Sequence, residues 1–136
     1  MQQNQKASIT GIGSYLPSKV LTNYDLEKMV DTSDDWIIQR TGIKERRIVE
    51  NGQITSDLAT YASLRAMEDA GVSPGDLDMI ITSTITPDHI FPSTSCYIQQ
   101  KIGASRASAF DILAACAGFI YALSVGESFV NSGAMK

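Results

Sequence analysis

FDILAACAGF, residues 110–119, is the stretch on which the reading of this chain turns. Ala107–Leu113 (ASAFDIL) has the make-up of an interior strand, because aromatic and β-branched side chains suit a pleated surface covered on both faces. Ala114–Gly118 then places only small side chains around one cysteine, and Phe119–Val130 continues as a helix that is apolar on nearly every side. Such a helix is expected to be buried all round. A thiol between a strand end and a helix start meets the positive end of the helix and its unpaired N–H groups, which favours thiolate, the nucleophilic form. The Ala and Gly neighbours leave room for a thioester carbonyl, and a backbone N–H at the turn can stabilise a developing oxyanion. Free cysteine is also among the most buried and inert residue types. Pattern alone therefore leaves Cys116 open between nucleophile and core filler.

Working outward, Met79–Thr86 (MIITSTIT) is a second interior strand, followed by a turn at Pro87-Asp88. Ser93 caps a helix that runs to about Ile102, with Gly103 as its stop. A longer helix starts at Thr55 or Ser56; its Leu58, Ala62, Ala66 and Ala70 form a stripe read as buried, and Gly71 ends it. Ahead of it, Thr22 with Asp25 makes a variant capping box for a helix over about Asn23–Val30. Ser33 opens a second short helix that carries Trp36 and Arg40 and stops at Gly42. Ala7–Gly13 (ASITGIG) is a short β-like run ending in glycines. Strands alternating with helices predict an α/β fold with a mixed, largely parallel sheet and buried helices. The elements end just past Gly133, where the pattern calls for another strand, so the chain reads as an unfinished domain.

Bulk properties exclude several classes. The chain has 136 residues, 43% hydrophobic and 19% charged, which fits one domain with a packed core. A net charge of -4 argues against a general nucleic-acid binder. No apolar run approaches the length of a membrane span and Met1–Ser8 has no signal-peptide character, so a soluble cytoplasmic protein is the expectation. The two cysteines, Cys96 and Cys116, form no Cys-x-x-Cys pair, and His89 is the one histidine, so no metal site is expected.

Several segments in order resemble β-ketoacyl-acyl-carrier-protein synthase III, a thiolase-fold condensing enzyme. They are Gly11–Pro17 (GIGSYLP), Asp31–Arg47 (DTSDDWIIQRTGIKERR), Thr86–Ser95 (TPDHIFPSTS), Asp111–Phe119 and Phe119–Gly133 (FIYALSVGESFVNSG). The resemblance runs from about Ile9 onward and implies a thiolase-like fold, with residues 1–136 forming its N-terminal half and the C-terminal half absent. It implies that Cys116 takes an acyl group from an acyl-CoA thioester. Malonyl-acyl carrier protein would then decarboxylate and capture that group as a 3-oxoacyl product. It assigns Thr32, Trp36 and Arg40 to the mouth that binds coenzyme A. Coenzyme A enters as a thioester substrate, with no permanently bound cofactor. Arg40, Lys44, Arg46 and Arg47 add a local positive field suited to an anionic ligand. Phe91 matches a position that closes the acyl pocket of a neighbouring subunit, which implies a homodimer. The family's catalytic His and Asn lie beyond Lys136, so His89 is read as a loop residue and Cys96 as buried filler. Two alternatives stay open: a related thiolase-fold acyltransferase of the polyketide or hydroxymethylglutaryl-CoA synthase type, and a non-catalytic structural half.

Overall fold

A computed structural model describes residues 6–136. They fall into two compact units, the first containing residues up to Tyr15 together with Ile54–Lys136, and the second Leu16–Gln53.

In the first unit, β3 (Met79–Ser83) and β4 (Ser108–Ile112) pair in parallel, with Met79 opposite Ser108 and Ser83 opposite Ile112. The crossover between them is α4 (Thr94–Ile102). Successive strand residues point to opposite faces, and this alternation sorts the layers. Ile80 packs against the core cluster of Met67, Ile98, Ile102, Ala104 and Ala107, and the Thr82 hydroxyl bonds to the Ser95 hydroxyl, so this face receives α4. Ile81 and Ser83 face α5 (Gly118–Asn131) on the other side. Against α4 lies α3 (Thr55–Ala70), through Met67.

The stripe read as buried along α3 needs correction. Ser56, Thr60 and Met67 are the buried positions, whereas Leu58, Ala62, Ala66 and Ala70 are half-buried. The alanines serve a second contact. Residues 6–17 join no ladder, so the β-like run Ala7–Gly13 is no sheet strand here. It lies along α3 instead. A Cβ on Gly11 would come within 2.7 Å of the Ala70 Cβ, and one on Gly13 within 2.9 Å of the Ala66 Cα. Glycine at alternate positions thus lets this backbone touch helix backbone. Asp69 accepts from the Ile12 N–H at 2.9 Å, Arg65 donates to the Ser14 carbonyl at 2.6 Å, and Tyr15 stacks on Tyr61 at 4.7 Å. The N-cap of α3 is Ile54 rather than Thr55 or Ser56, and Asp57 accepts from the Ile54 N–H at 3.0 Å.

Within residues 6–136 the last helix is not buried all round. Gly118 is its one fully buried residue, while Phe119, Ile120 and Tyr121 are 66%, 59% and 56% exposed. The described residues provide one sheet face for it and nothing on its outer side, so its all-round apolarity exceeds what this contact uses.

In the second unit, β1 (Lys19–Thr22) and β2 (Glu45–Ile48) form an antiparallel ribbon that frames α1 (Asn23–Glu27) and α2 (Asp34–Thr41). The expected mixed sheet is therefore two separate pairs, one parallel and one antiparallel, among the described residues. Both ribbon strands escaped the sequence reading, because four-residue strands with charged members lack a clear apolar alternation. The Thr22–Asp25 capping box forms as read, and the Thr22 hydroxyl and N–H hold the Asp25 carboxyl below the ordinary carboxylate range. The helix it opens stops at Glu27, short of Val30.

Candidate functional site

Cys116 lies in a single 3-10 turn, Ala115–Ala117, between β4 and α5, and is exposed. The turn is bent by Ala115, whose φ of 45° is the one left-handed value at a non-glycine residue among the described residues. For an L-residue this costs about 1–3 kcal/mol, which the surrounding structure must supply. The Ala117 and Gly118 N–H groups are taken by the Ala114 and Ala115 carbonyls. The free donors expected around the sulfur are thus partly spent on the turn itself. What remains is the placement of the sulfur ahead of the first turn of α5, where the helix field is positive.

An open cavity of about 450 Å³ adjoins the thiol, lined by Ile81, Ser83, Ala115, Cys116, Phe119, Ala122 and Leu123. Six of these lining groups are apolar or thiol and one is a hydroxyl, a surface suited to a hydrocarbon chain with little to bind water. A larger cavity, about 530 Å³, shares Ile81, Ala122 and Leu123 with the first, continues by Ile9, Met79 and Val130, and does not include Cys116. Gly118 sets the approach of helix to sheet: a Cβ there would overlap Ser83 Oγ and stand 3.3 Å from Ser83 Cβ.

The strand end that carries the turn is held by a network the sequence reading missed. Asp111 accepts from the Thr94 N–H at 2.7 Å, the Ser95 N–H at 2.8 Å and Ser95 Oγ at 2.7 Å. A carboxylate at the open N-terminus of α4 satisfies orphan donors and complements the helix dipole. Ser95 Oγ, fully buried, also lies 2.7 Å from Thr82 Oγ1 and from the Phe110 carbonyl, tying α4 to both strands. One step further, Asp88 accepts from the Ser56 N–H at 3.2 Å, and Lys101 donates to Ser56 Oγ and Asp57, each at 2.6 Å. The signal was available. An aspartate inside an apolar strand must find donors, and Ser93-Thr94-Ser95 at a helix start offers them.

In the second unit, Arg40 lies over the Trp36 ring at 4.4 Å from its centroid, and the indole is 51% exposed. The shared helical face read from their spacing is therefore real. Thr32, half-buried, precedes Ser33, whose hydroxyl caps α2 by accepting from the Trp36 N–H at 3.1 Å. The positive field is smaller than the sequence suggests. Arg46 turns inward to Asn23 Oδ1 at 2.9 Å, and Arg47 pairs with Glu45 at 3.4 Å, leaving Arg40 and Lys44 to face solvent.

His89 is an exposed loop residue stacked against Tyr97 at 5.4 Å between ring centroids. Phe91 is 88% exposed at the tip of that loop. Cys96 is half-buried rather than fully buried, and its sulfur accepts from Ser93 Oγ at 3.2 Å. Among the described residues no group of three His, Cys, Asp or Glu side chains could hold a metal, and no helix is long and apolar enough to cross a membrane.

The pattern of the 3-oxoacyl-[acyl-carrier-protein (ACP)] synthase III family matches residues 110–136, the segment containing Cys116 and α5. A β-ketoacyl-[acyl-carrier-protein] synthase III from Caldanaerobacter subterraneus subsp. tengcongensis is 63% identical over 127 residues, covering 93% of this chain and 38% of that protein. The chain belongs to the β-ketoacyl-[acyl-carrier-protein] synthase III family. The synthase III of Xanthomonas campestris pv. campestris is 57% identical over 136 residues, the whole of this chain and 42% of that protein. Among solved structures, the synthase III of Aquifex aeolicus VF5 superposes with a TM-score of 0.89 at 54% identity, covering 92% of this chain and 40% of the other. The priming β-ketosynthase of the R1128 polyketide biosynthetic pathway superposes with a TM-score of 0.92 at 36% identity, covering 100% of this chain and 41% of the other. The fold is the thiolase-like α/β arrangement of these two structures. The chain spans about 40% of the length of the relatives it matches.

Proposed function

We propose that Cys116 is the acyl-accepting nucleophile of a condensing enzyme that starts fatty-acid synthesis. One observation carries the reading: an exposed thiol stands on a strained turn at the start of a helix, beside an apolar cavity of about 450 Å³. The sulfur attacks the carbonyl carbon of an acyl-CoA thioester, forming a new C–S bond. The tetrahedral adduct collapses, expels coenzyme A as its thiolate and leaves the acyl group on Cys116. The acyl tail occupies the cavity lined by Ile81, Phe119 and Leu123. Coenzyme A is a substrate here, with Trp36 offering a stacking surface for its adenine and Arg40, with Thr32 nearby, a charge for its phosphates. In the second step malonyl-acyl carrier protein loses carbon dioxide, and its carbanion attacks the acyl thioester to give 3-oxoacyl-acyl carrier protein and the free thiol. The His and Asn that this step calls for come from the part of the relatives that the chain does not span, residues 1–136 being the N-terminal, nucleophile-bearing half. The exposed Phe91 meets a second copy in a homodimer that works in the cytoplasm.

Incubation with radiolabelled acyl-CoA tests the nucleophile. Label is expected on the parent and on Cys96→Ser, and none on Cys116→Ser. Equal labelling of both variants rejects the assignment. A second reading, a priming ketosynthase of polyketide assembly, is favoured by the close superposition on the R1128 enzyme. Offering the extender unit on different carrier proteins separates the two, since each enzyme type is expected to prefer the carrier of its own pathway.

A further inference from the structure

We propose that Asn23 is the positioning residue of the Trp36–Arg40 platform, gripping both ends of α2 with one buried amide. This rests on the reading that the platform binds coenzyme A. Asn23 is fully buried. Its Nδ2 donates to Asp34 Oδ1 at 2.8 Å, at the first residue of α2, and to the Ile43 carbonyl at 2.8 Å, just past the C-cap Gly42. Its Oδ1 accepts from Arg46 at 2.9 Å, and its backbone N–H donates to the Lys44 carbonyl at 3.3 Å. A planar amide with both donors and its acceptor engaged has no rotational freedom left. Arg46 is itself anchored by its second donor to the Leu21 carbonyl at 3.3 Å, so the grip is referred to the β1–β2 ribbon.

The consequence is specific to α2. The helix has eight residues and one buried side chain, Ile37, so packing alone holds its rotation weakly. Trp36 and Arg40 lie on its solvent side, where a small roll changes the direction of the indole face. Polar fixation at both ends removes that roll. Asn suits the position because it presents donors to an acidic side chain and a carbonyl, and an acceptor to an arginine, in one plane. Aspartate would meet both acceptors with like charge or lone pairs.

The test uses the full chain and coenzyme A itself as the probe. Affinity is read by calorimetry, and platform rigidity by fluorescence anisotropy of Trp36, the sole tryptophan. Asn23→Asp is expected to weaken coenzyme A binding about tenfold, the loss of roughly one stacking or cation contact, and to lower the anisotropy. The alkylation rate of Cys116 should stay within about twofold, since that turn is built from other elements. Asp34→Asn added to Asn23→Asp reverses donor and acceptor and should recover part of both losses. If Asn23→Asp does not fold, Asp34→Ala, which removes one grip only, is read in its place. Unchanged affinity and anisotropy in the variant read, alongside a Trp36→Ala that binds weakly, overturns the positioning role alone. Coenzyme A binding that survives both Trp36→Ala and Arg40→Ala removes the platform reading, and this inference goes with it.

Discussion

Substituting Gly118 by alanine probes the contact that seats the first turn of α5 on the sheet beneath Cys116. The added Cβ overlaps Ser83 Oγ and stands 3.3 Å from Ser83 Cβ. Ordinary carbon contacts lie at about 3.5–4.0 Å. Ser83 must therefore leave its rotamer, and the helix start must still retreat by a few tenths of an ångström. Overpacking of this kind costs about 1–3 kcal/mol, and the mid-range value corresponds to a fall of several degrees in apparent melting temperature for a chain this size. Removing the hydroxyl separates the two parts of the clash. Ser83→Ala in the Gly118→Ala background leaves only the Cβ contact and should return about 1 kcal/mol, a coupling within the range for touching residues. The assay pairs thermal unfolding at fixed protein concentration with the rate of iodoacetamide reaction at Cys116, which reports whether the turn has moved. Gly118→Ala should change both, and the double variant should bring both back toward the parent. A Gly118→Ala protein that melts and alkylates like the parent would falsify the claim that this glycine sets the helix-to-sheet approach.

Three further outcomes follow from the same geometry. Asp111→Asn leaves one side-chain acceptor for three donors and turns an N–H₂ toward an N–H, so it should cost about 2 kcal/mol in denaturant unfolding; a change under about 0.5 kcal/mol means the network is not holding α4. Ala115→Gly should gain about 1 kcal/mol over the parent, the relieved strain exceeding the added chain entropy of about 0.5–1 kcal/mol, whereas Ala115→Val should lose more than about 1 kcal/mol at this positive φ; equal behaviour of the two argues that the turn is unstrained in solution. Asp57 is held below the ordinary carboxylate range, first by the hydrogen bond from Lys101 and then by the Ile54 N–H. A carboxyl depressed on folding stabilises the protein above its unfolded value and loses that contribution as pH falls through the folded one. Stability should therefore drop below about pH 4, with a smaller acid-induced loss in Asp57→Asn; an unaltered acid limb removes Asp57 from that account.

Much of the fold is legible without coordinates, and the reasons are local. Ser33, Ser93, Gly42, Gly71 and Gly103 mark helix ends because hydroxyl caps and left-handed C-caps are set by backbone geometry within a few residues. The strand–small run–helix order around Cys116 is legible for the same reason. The ribbon β1–β2 is not, because its strands are short and charged and are defined by pairing rather than by pattern.

The sequence by itself determined the α/β class, the cap positions, the nucleophile candidate and the Trp36–Arg40 spacing, since each depends on covalent order and on a period of a few residues. Only the tertiary structure decided which groups face one another. It sent Ala7–Gly13 along α3 instead of into a sheet, turned Arg46 inward to Asn23 and placed Asp111 at the start of α4. Those outcomes are distance relations between residues far apart in the chain, and they follow from packing and hydrogen-bond satisfaction in three dimensions, which no local pattern encodes.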